Sequence, residues 1–418
     1  MTTTAAPAVV HAPDARLLLT SQLIFNIGFY SVIPFLAVSM SKDFAMGATA
    51  VGIVLGARTF AQQGMFLAGG AIADRWGPRY AMIVGCLIRV AGYVLLAAAA
   101  DFPLFLLGAV VTGIGGALFS PALESLLAGA EVRRKPSATA DRPTLFALLV
   151  IFGEIGAVAG PLVGALLLGI GFDAALYLGA AIFTVMAFVF WRRVPAGRPG
   201  ATPTKRRPEL LYCLTQKRFI GFAAFYSGNL LAHNQLYFGL PVELERSGLG
   251  TGWLGALFAY ASLLTIGLQW PVAKLMRRAA PQTALTAGFA VQAAGFATIA
   301  VLATFPQAAE LKLLPAVVLV TGLCLGHMCV APVAMDLVLE FAGGRPTGAF
   351  YGLLASCGGV MVLAGNTALG PMYELAGQPS SGAGAWPWLL IGLLAAVSAA
   401  GIRRFTPGRT TADAGLRA

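Results

Sequence analysis

The chain is dominated by a succession of apolar runs, each near the ~20 residues that a helix needs to cross ~30 Å of hydrocarbon. They fall at about 17–38, 49–71, 80–100, 104–128, 143–168 and 172–191, and again at about 218–240, 251–273, 282–303, 313–338, 347–370 and 385–402. A basic, proline-bearing stretch at 192–217 separates the two sets. The expected organisation is a tail (1–16), a six-helix bundle (17–191), a linker (192–217), a second six-helix bundle (218–402) and a C-terminal tail (403–418). The fold class is all-α integral membrane, with twelve transmembrane helices in two pseudo-symmetric bundles.

Composition excludes a soluble domain, because 11% of the residues are charged and 58% are apolar, where soluble domains carry about 25% charged residues. A net charge of +11 raises the question of a nucleic-acid partner, and the placement of the charge answers it. Of 28 Lys and Arg, 23 fall in the tails, the linker and alternate loops on one side, among them Arg75, Arg79, Arg133, Arg134 and Lys135. The opposite loops hold only Lys42, Arg246 and Lys312, while Arg58 and Arg89 lie within spans. This asymmetry predicts that both termini are cytoplasmic. Anionic membrane lipid then accounts for the basic loops, and no nucleic-acid partner is expected.

Residues 1–14 lack the positive cluster that precedes a signal sequence, so the first run is read as a retained helix. The five cysteines, Cys86, Cys213, Cys324, Cys329 and Cys357, show no metal-ligand pairing and are expected to be free thiols; no metal site is expected. No loop exceeds the linker of about 26 residues, and no phosphate-binding G-x-x-x-x-G-K-[ST] segment occurs. Transport would therefore use an ion gradient or run downhill, without a cofactor. A membrane-embedded enzyme is disfavoured, since no H-E-x-x-H, Ser/Lys dyad or aspartyl pair appears in the spans.

Between the second and third spans the chain reads Gly70-Ala-Ile-Ala-Asp74-Arg75-Trp76-Gly77-Pro78-Arg79. Gly70 permits close helix approach, Asp74 offers an anion to a helix N-terminus, and Arg75 and Arg79 can pair with rim acids. The segment resembles the loop signature of the major facilitator superfamily, G-x-L-A-D-R-x-G-R-[KR], at that family's position and membrane side, with Pro78 replacing one basic residue. The resemblance implies the major facilitator fold, a small-molecule substrate and, for Asp74, a place near Thr347 and Gly348 at the start of the eleventh span. A monomer in a bacterial inner membrane is expected.

The fifth span carries Glu154, then Gly156, Gly160, Pro161, Gly164 and Ala165, which is similar to the antiporter signature G-x-x-x-G-P-x-x-G-G of exporters in that superfamily. Glycine with proline suits a helix that packs closely and bends. Gly365-Asn366 and Gly370-Pro371 echo it in the eleventh span, as related halves predict. In many antiporters the fourth span bears an arginine where this chain has Ala109. Arg58 and Arg89 at mid-depth, with Leu268-Gln269-Trp270-Pro271, instead resemble a multidrug-exporter branch of the drug:proton antiporters, which includes siderophore exporters.

A mid-depth charge costs roughly 2.5 to 3.5 kcal/mol, so Arg58, Arg89 and Glu154 should face a cavity or one another. Glu154 is the leading carboxylate for proton exchange, with Arg58 or Arg89 as its charge partner; a permanent structural bridge is the alternative. Glu124, Asp336 and Glu340 suit rim salt bridges with Arg133, Arg134 or Arg345. Asn26 and Tyr30 in the first span, with Tyr226, Asn229 and Asn234 in the seventh, are candidates for a polar cavity. His233 and His327 are further proton-coupling candidates, although a histidine in a helix also serves as a hydrogen-bonded packing residue. The expected function is proton-coupled export of small molecules such as drugs or siderophore-like metabolites, with import of a small nutrient as the alternative.

Overall fold

A computed structural model describes residues 14–133, 145–195, 206–250, 252–305, 309–343, 345, 347–377 and 383–406. Expectations placed on the tails before Asp14 and after Thr406, on Arg134 and Lys135, and on the Asp74 and Arg133 side chains lie outside the described residues and side chains.

The described residues form helices and no strand. In the first half these are α1 (Ala15–Tyr30, continued by Ile33–Lys42), α2 (Ala48–Thr59, a π-helical turn Phe60–Gly64, then Phe66–Trp76), α3 (Pro78–Ala97), α4 (Phe102–Arg133), α5 (Leu145–Leu168) and α6 (Phe172–Arg193). A linker helix, Arg206–Thr215, leads to α7 (Lys217–Asn234, continued by Gly239–Arg246), α8 (Gly252–Arg278), α9 (Pro281–Ala303), α10 (Leu314–Ala342), α11 (Gly348–Ala376) and α12 (Trp386–Gly401). Ten of these segments are long and apolar enough to cross a membrane. The other two, α2 and α7, complete the twelve but are interrupted at polar residues, where uninterrupted apolar helices were expected.

Several helices run past the apolar segments, as α4 does to Arg133, because helical hydrogen bonding continues after the side chains turn polar. Large apolar residues such as Leu166, Ile170 and Trp270 remain more than half exposed, as a lipid-facing surface requires. Close packing relies on small residues. At Gly156 and Gly160 an added Cβ would overlap the backbone or Cβ atoms of α1, and at Gly370 it would overlap Thr49 of α2. Two cross-half pairings result: α2 runs antiparallel along α11, and α5 packs along α8.

Candidate transport pathway

The two halves meet at a short sequence that occurs twice. Helix α1 carries Tyr30-Ser-Val-Ile-Pro34 and α7 carries Tyr237-Phe-Gly-Leu-Pro241. Proline has no N–H to donate to the carbonyl four residues earlier. Each helix accordingly breaks at its tyrosine, α1 after Tyr30 and α7 between Asn234 and Gly239. The hydroxyls of Tyr30 and Tyr237 lie beside one another across the halves, and both Arg58 and Glu154 are close enough to act on each electrostatically. Half-buried Glu154 also faces the Ser262 hydroxyl of α8.

The arginines are held differently from expectation. Arg58 is 5% exposed, donates from Nη2 to Gln62 Oε1 at 2.6 Å, and lies 4.6 Å from the centre of the Phe29 ring. Arg89 is 1% exposed and sits among Phe25, Phe29 and Phe183 at 4.5, 5.3 and 5.1 Å. No guanidinium nitrogen of Arg89 has a geometrically well-formed hydrogen bond among the described residues, although the Tyr93 hydroxyl lies beside it. Neither arginine is bridged to Glu154, which corrects the expected charge pairing. The physical reason is that aromatic faces attract the guanidinium directly, while Glu154 faces the Ser262 hydroxyl.

A buried cation held by aromatic rings, with no carboxylate bridged to it, is still costly to fold around. Arg89→Met, which keeps bulk without charge, is expected to leave the thermal midpoint in detergent unchanged or raised and to slow transport about tenfold, ~1.4 kcal/mol of barrier. A lowered midpoint with normal transport would identify the aromatic cage as purely structural.

Next to Arg58, the break in α7 releases side chains that form a buried network between halves. Asn234 Nδ2 donates to Thr59 Oγ1 at 3.2 Å, Asn366 Nδ2 to Asn234 Oδ1 at 2.8 Å, Gln235 Nε2 to Asn366 Oδ1 at 3.2 Å, and Tyr373 Oη to Gln235 Oε1 at 3.0 Å. The π-helical turn of α2 is tied to α11 separately, since Ser356 Oγ of α11 donates to Gly64 O at 3.0 Å. A π turn leaves carbonyls without their ordinary donors. Asn366 is fully buried and bonds both Asn234 and Gln235, so Asn366→Leu deprives Asn234 Oδ1 of this donor and Gln235 Nε2 of one of its two acceptors; it should cost about 1–3 kcal/mol, read as a lower unfolding midpoint.

A second polar cluster lies inside the second half. The His233 and His327 rings are 4.6 Å apart, Asn229 Nδ2 is 3.1 Å from His327 Nδ1, and Gln292 Nε2 donates to Asn229 Oδ1 at 2.9 Å. Tyr226 lies beside Asn229. These residues join α7 to α9 and α10. In α1, Asn26 Nδ2 donates to Gly153 O at 2.8 Å and fixes α1 to α5. Of the candidate cavity residues, then, Tyr30 and Asn234 stand at the half interface, whereas Asn26, Tyr226 and Asn229 are engaged within their own bundles.

At the loop motif, Gly77 adopts φ 87°, a left-handed conformation suited to glycine between two helices. Arg79 Nη2 donates to Trp191 O at 2.6 Å, at the carbonyl end of α6, and Arg75 is exposed. Arg79 thus meets a helix C-terminus where a rim acid was expected. Gly70 lines a cavity of about 270 Å³ with Leu67, Glu124, Gly348 and Tyr351, which brings the start of α11 to this motif. Arg345 stacks 3.8 Å over the Tyr212 ring of the linker helix. All five cysteines are free.

In the sequence Gln235 and Tyr237 stand out only as part of the polar crowding of α7, and Thr59, Asn366, Tyr373, Ser262 and Gln62 are given no role. The repeated Tyr-x-x-x-Pro points to Tyr237, and amides inside otherwise apolar spans point to Gln62 and Asn366. Ser262 and Thr59 carry no comparable signal, since hydroxyls commonly bond their own helix backbone.

Two six-helix halves meeting at broken helices and a shared polar core define a polytopic membrane transport protein. Residues 18–366 match the family model described as Major Facilitator Superfamily, and the chain belongs to that family. An uncharacterized MFS-type transporter of Mycobacterium tuberculosis is 32% identical over 403 residues, covering 94% of each chain. The multidrug resistance protein MdtH of Aeromonas hydrophila is 28% identical over 376 residues, covering 89% of this chain and 90% of that protein. Among solved structures, a nucleoside transporter NupG mutant superposes with a TM-score of 0.75 at 14% identity, covering 94% of this chain and 99% of that one, which is a likeness of fold.

Proposed function

We propose that this protein is a proton-coupled antiporter that exports small amphipathic molecules from the cytoplasm by alternating access, with both termini cytoplasmic in a bacterial inner membrane. The placement of Glu154 carries the proposal. It is a carboxylate at the interface of the halves, beside a tyrosine pair contributed by both, so protonation is sensed where the halves must separate. The aromatic surroundings of Arg58 and Arg89 and the relatives described as multidrug resistance proteins support a lipophilic substrate range. The glycine and proline face of α5 supports export. Expression in a pump-deficient bacterial host tests it: resistance to lipophilic toxicants should rise and vanish with a protonophore. Unchanged resistance across a broad panel would contradict it.

A further inference from the structure

Helix α2 begins on the face opposite the Gly70–Arg79 loop, and its first turn has four backbone N–H groups to satisfy. Its N-cap is Gly47, whose lack of a side chain leaves the helix without a cap of its own. The missing group comes from the other half. Glu374, near the end of α11, accepts a hydrogen bond from Thr49 N through Oε1 at 2.9 Å. The site is shaped for that carboxylate, since a Cβ at Gly47 would overlap Glu374 Oε1, and a Cβ at Gly370 would strike Thr49. Tyr373, one residue earlier, continues the contact inward through Gln235.

We propose that Glu374 is a positioning residue for the transport cycle: a cap supplied across the halves that latches the ends of α2 and α11 and favours the state closed on that face. A helix N-terminus carries a partial positive charge, and a carboxylate on it strengthens the hydrogen bond. Because cap and helix belong to different halves, the contact exists only while those ends are together. Any conformation that opens this face must break it, so the latch biases an equilibrium and leaves each bundle's interior intact. Lys42, Glu245 and Arg246 share with Glu374 a cavity of about 730 Å³ at the same face. Opening would therefore release the latch into a charged, wet surround, where water replaces the lost bond.

Calling the latched face periplasmic rests on the function proposed above; the latch itself does not. The test uses full-length protein in nanodiscs, spin-labelled at Phe44→Cys and Leu375→Cys, with distances measured by pulsed electron resonance. The background suits labelling, because four native cysteines are buried and Cys357 is partly buried. Glu374→Gln removes the charge. Gly47→Ala leaves the carboxylate untouched but occupies its seat, at a backbone φ of −65° that alanine accepts. Both are expected to move the open-to-closed ratio toward open by about two- to fivefold, the effect of a typical charge at a helix end, with unfolding midpoints little changed. Glu374→Asp should restore part of the closed population. Unaltered distance distributions in both variants would overturn the latch, whatever the transport assays give. A shifted distribution in a protein that proves not to export would leave the latch standing and remove only the periplasmic assignment.

Discussion

Glu154→Gln is expected to abolish gradient-driven efflux, by at least about a hundredfold or ~2.7 kcal/mol of barrier, while substrate binding and downhill exchange stay within about threefold. Glutamine keeps the size and the hydrogen bond to Ser262 but cannot exchange a proton. The carboxylate lies between α5 and α8, and it acts electrostatically on the Tyr30 and Tyr237 hydroxyls, as Arg58 does with opposite sign. Its two protonation states therefore interact differently with both halves, and that difference is what a coupled cycle requires. The absence of an Arg58 or Arg89 bridge sharpens the expectation. A carboxylate locked in a permanent ion pair would serve as a brace, and its loss would show as unfolding. Here the arginines are already held by aromatic rings and Gln62, so Glu154→Gln should insert and fold normally. Counterflow and pH-jump assays on the same proteoliposomes separate the cases. Full pH-driven transport by this variant would move the coupling role to the His233 and His327 pair.

Gly160→Leu is expected to eliminate transport and to destabilise the first half by about 1–3 kcal/mol, the usual cost of overpacking. A Cβ at Gly160 would lie 2.6 Å from Tyr30 Cβ, 3.0 Å from Ile27 O and 3.1 Å from Asn26 O. These are atoms of α1 at its break, so relief requires pushing Tyr30 away from Tyr237. Both stability and the central contact are lost through one displacement. Pro161→Ala probes the other half of the idea. It restores a backbone donor inside α5 without new bulk and should slow turnover with little effect on unfolding. Thermal unfolding of each variant beside its initial efflux rate checks both. Normal efflux in both would make α5 an ordinary packing helix.

The fold was legible in the sequence because a bilayer leaves few options: apolar runs of spanning length can satisfy their backbone groups only as helices. Where helices break was less legible. The runs at 49–71 and 218–240 read as uninterrupted, yet α2 contains a π-helical turn and α7 opens after Asn234, since tertiary partners such as Ser356 and Asn366 satisfy the freed polar groups. Such partners lie some 130 to 290 residues away in the chain, beyond any local pattern. Glu154, Arg58 and Tyr30 stood out because mid-depth polar residues are scarce. Their actual partners did not, because Ser262 is unremarkable in sequence and aromatic rings are abundant. The placement of His233 and Asn229 within the second bundle shows that sharing a helical face identifies neighbours, without telling a cavity from another helix.

The most direct measurement is substrate accumulation by everted membrane vesicles containing this protein, with an acid-inside pH gradient imposed and a fluorescent lipophilic dye as substrate. Proton-coupled export requires the dye to enter the vesicle lumen as the gradient is applied, to leave when a protonophore collapses it, and to stay out with Glu154→Gln. Accumulation that is indifferent to the gradient, or that appears only in right-side-out vesicles under an inward proton gradient, would contradict it.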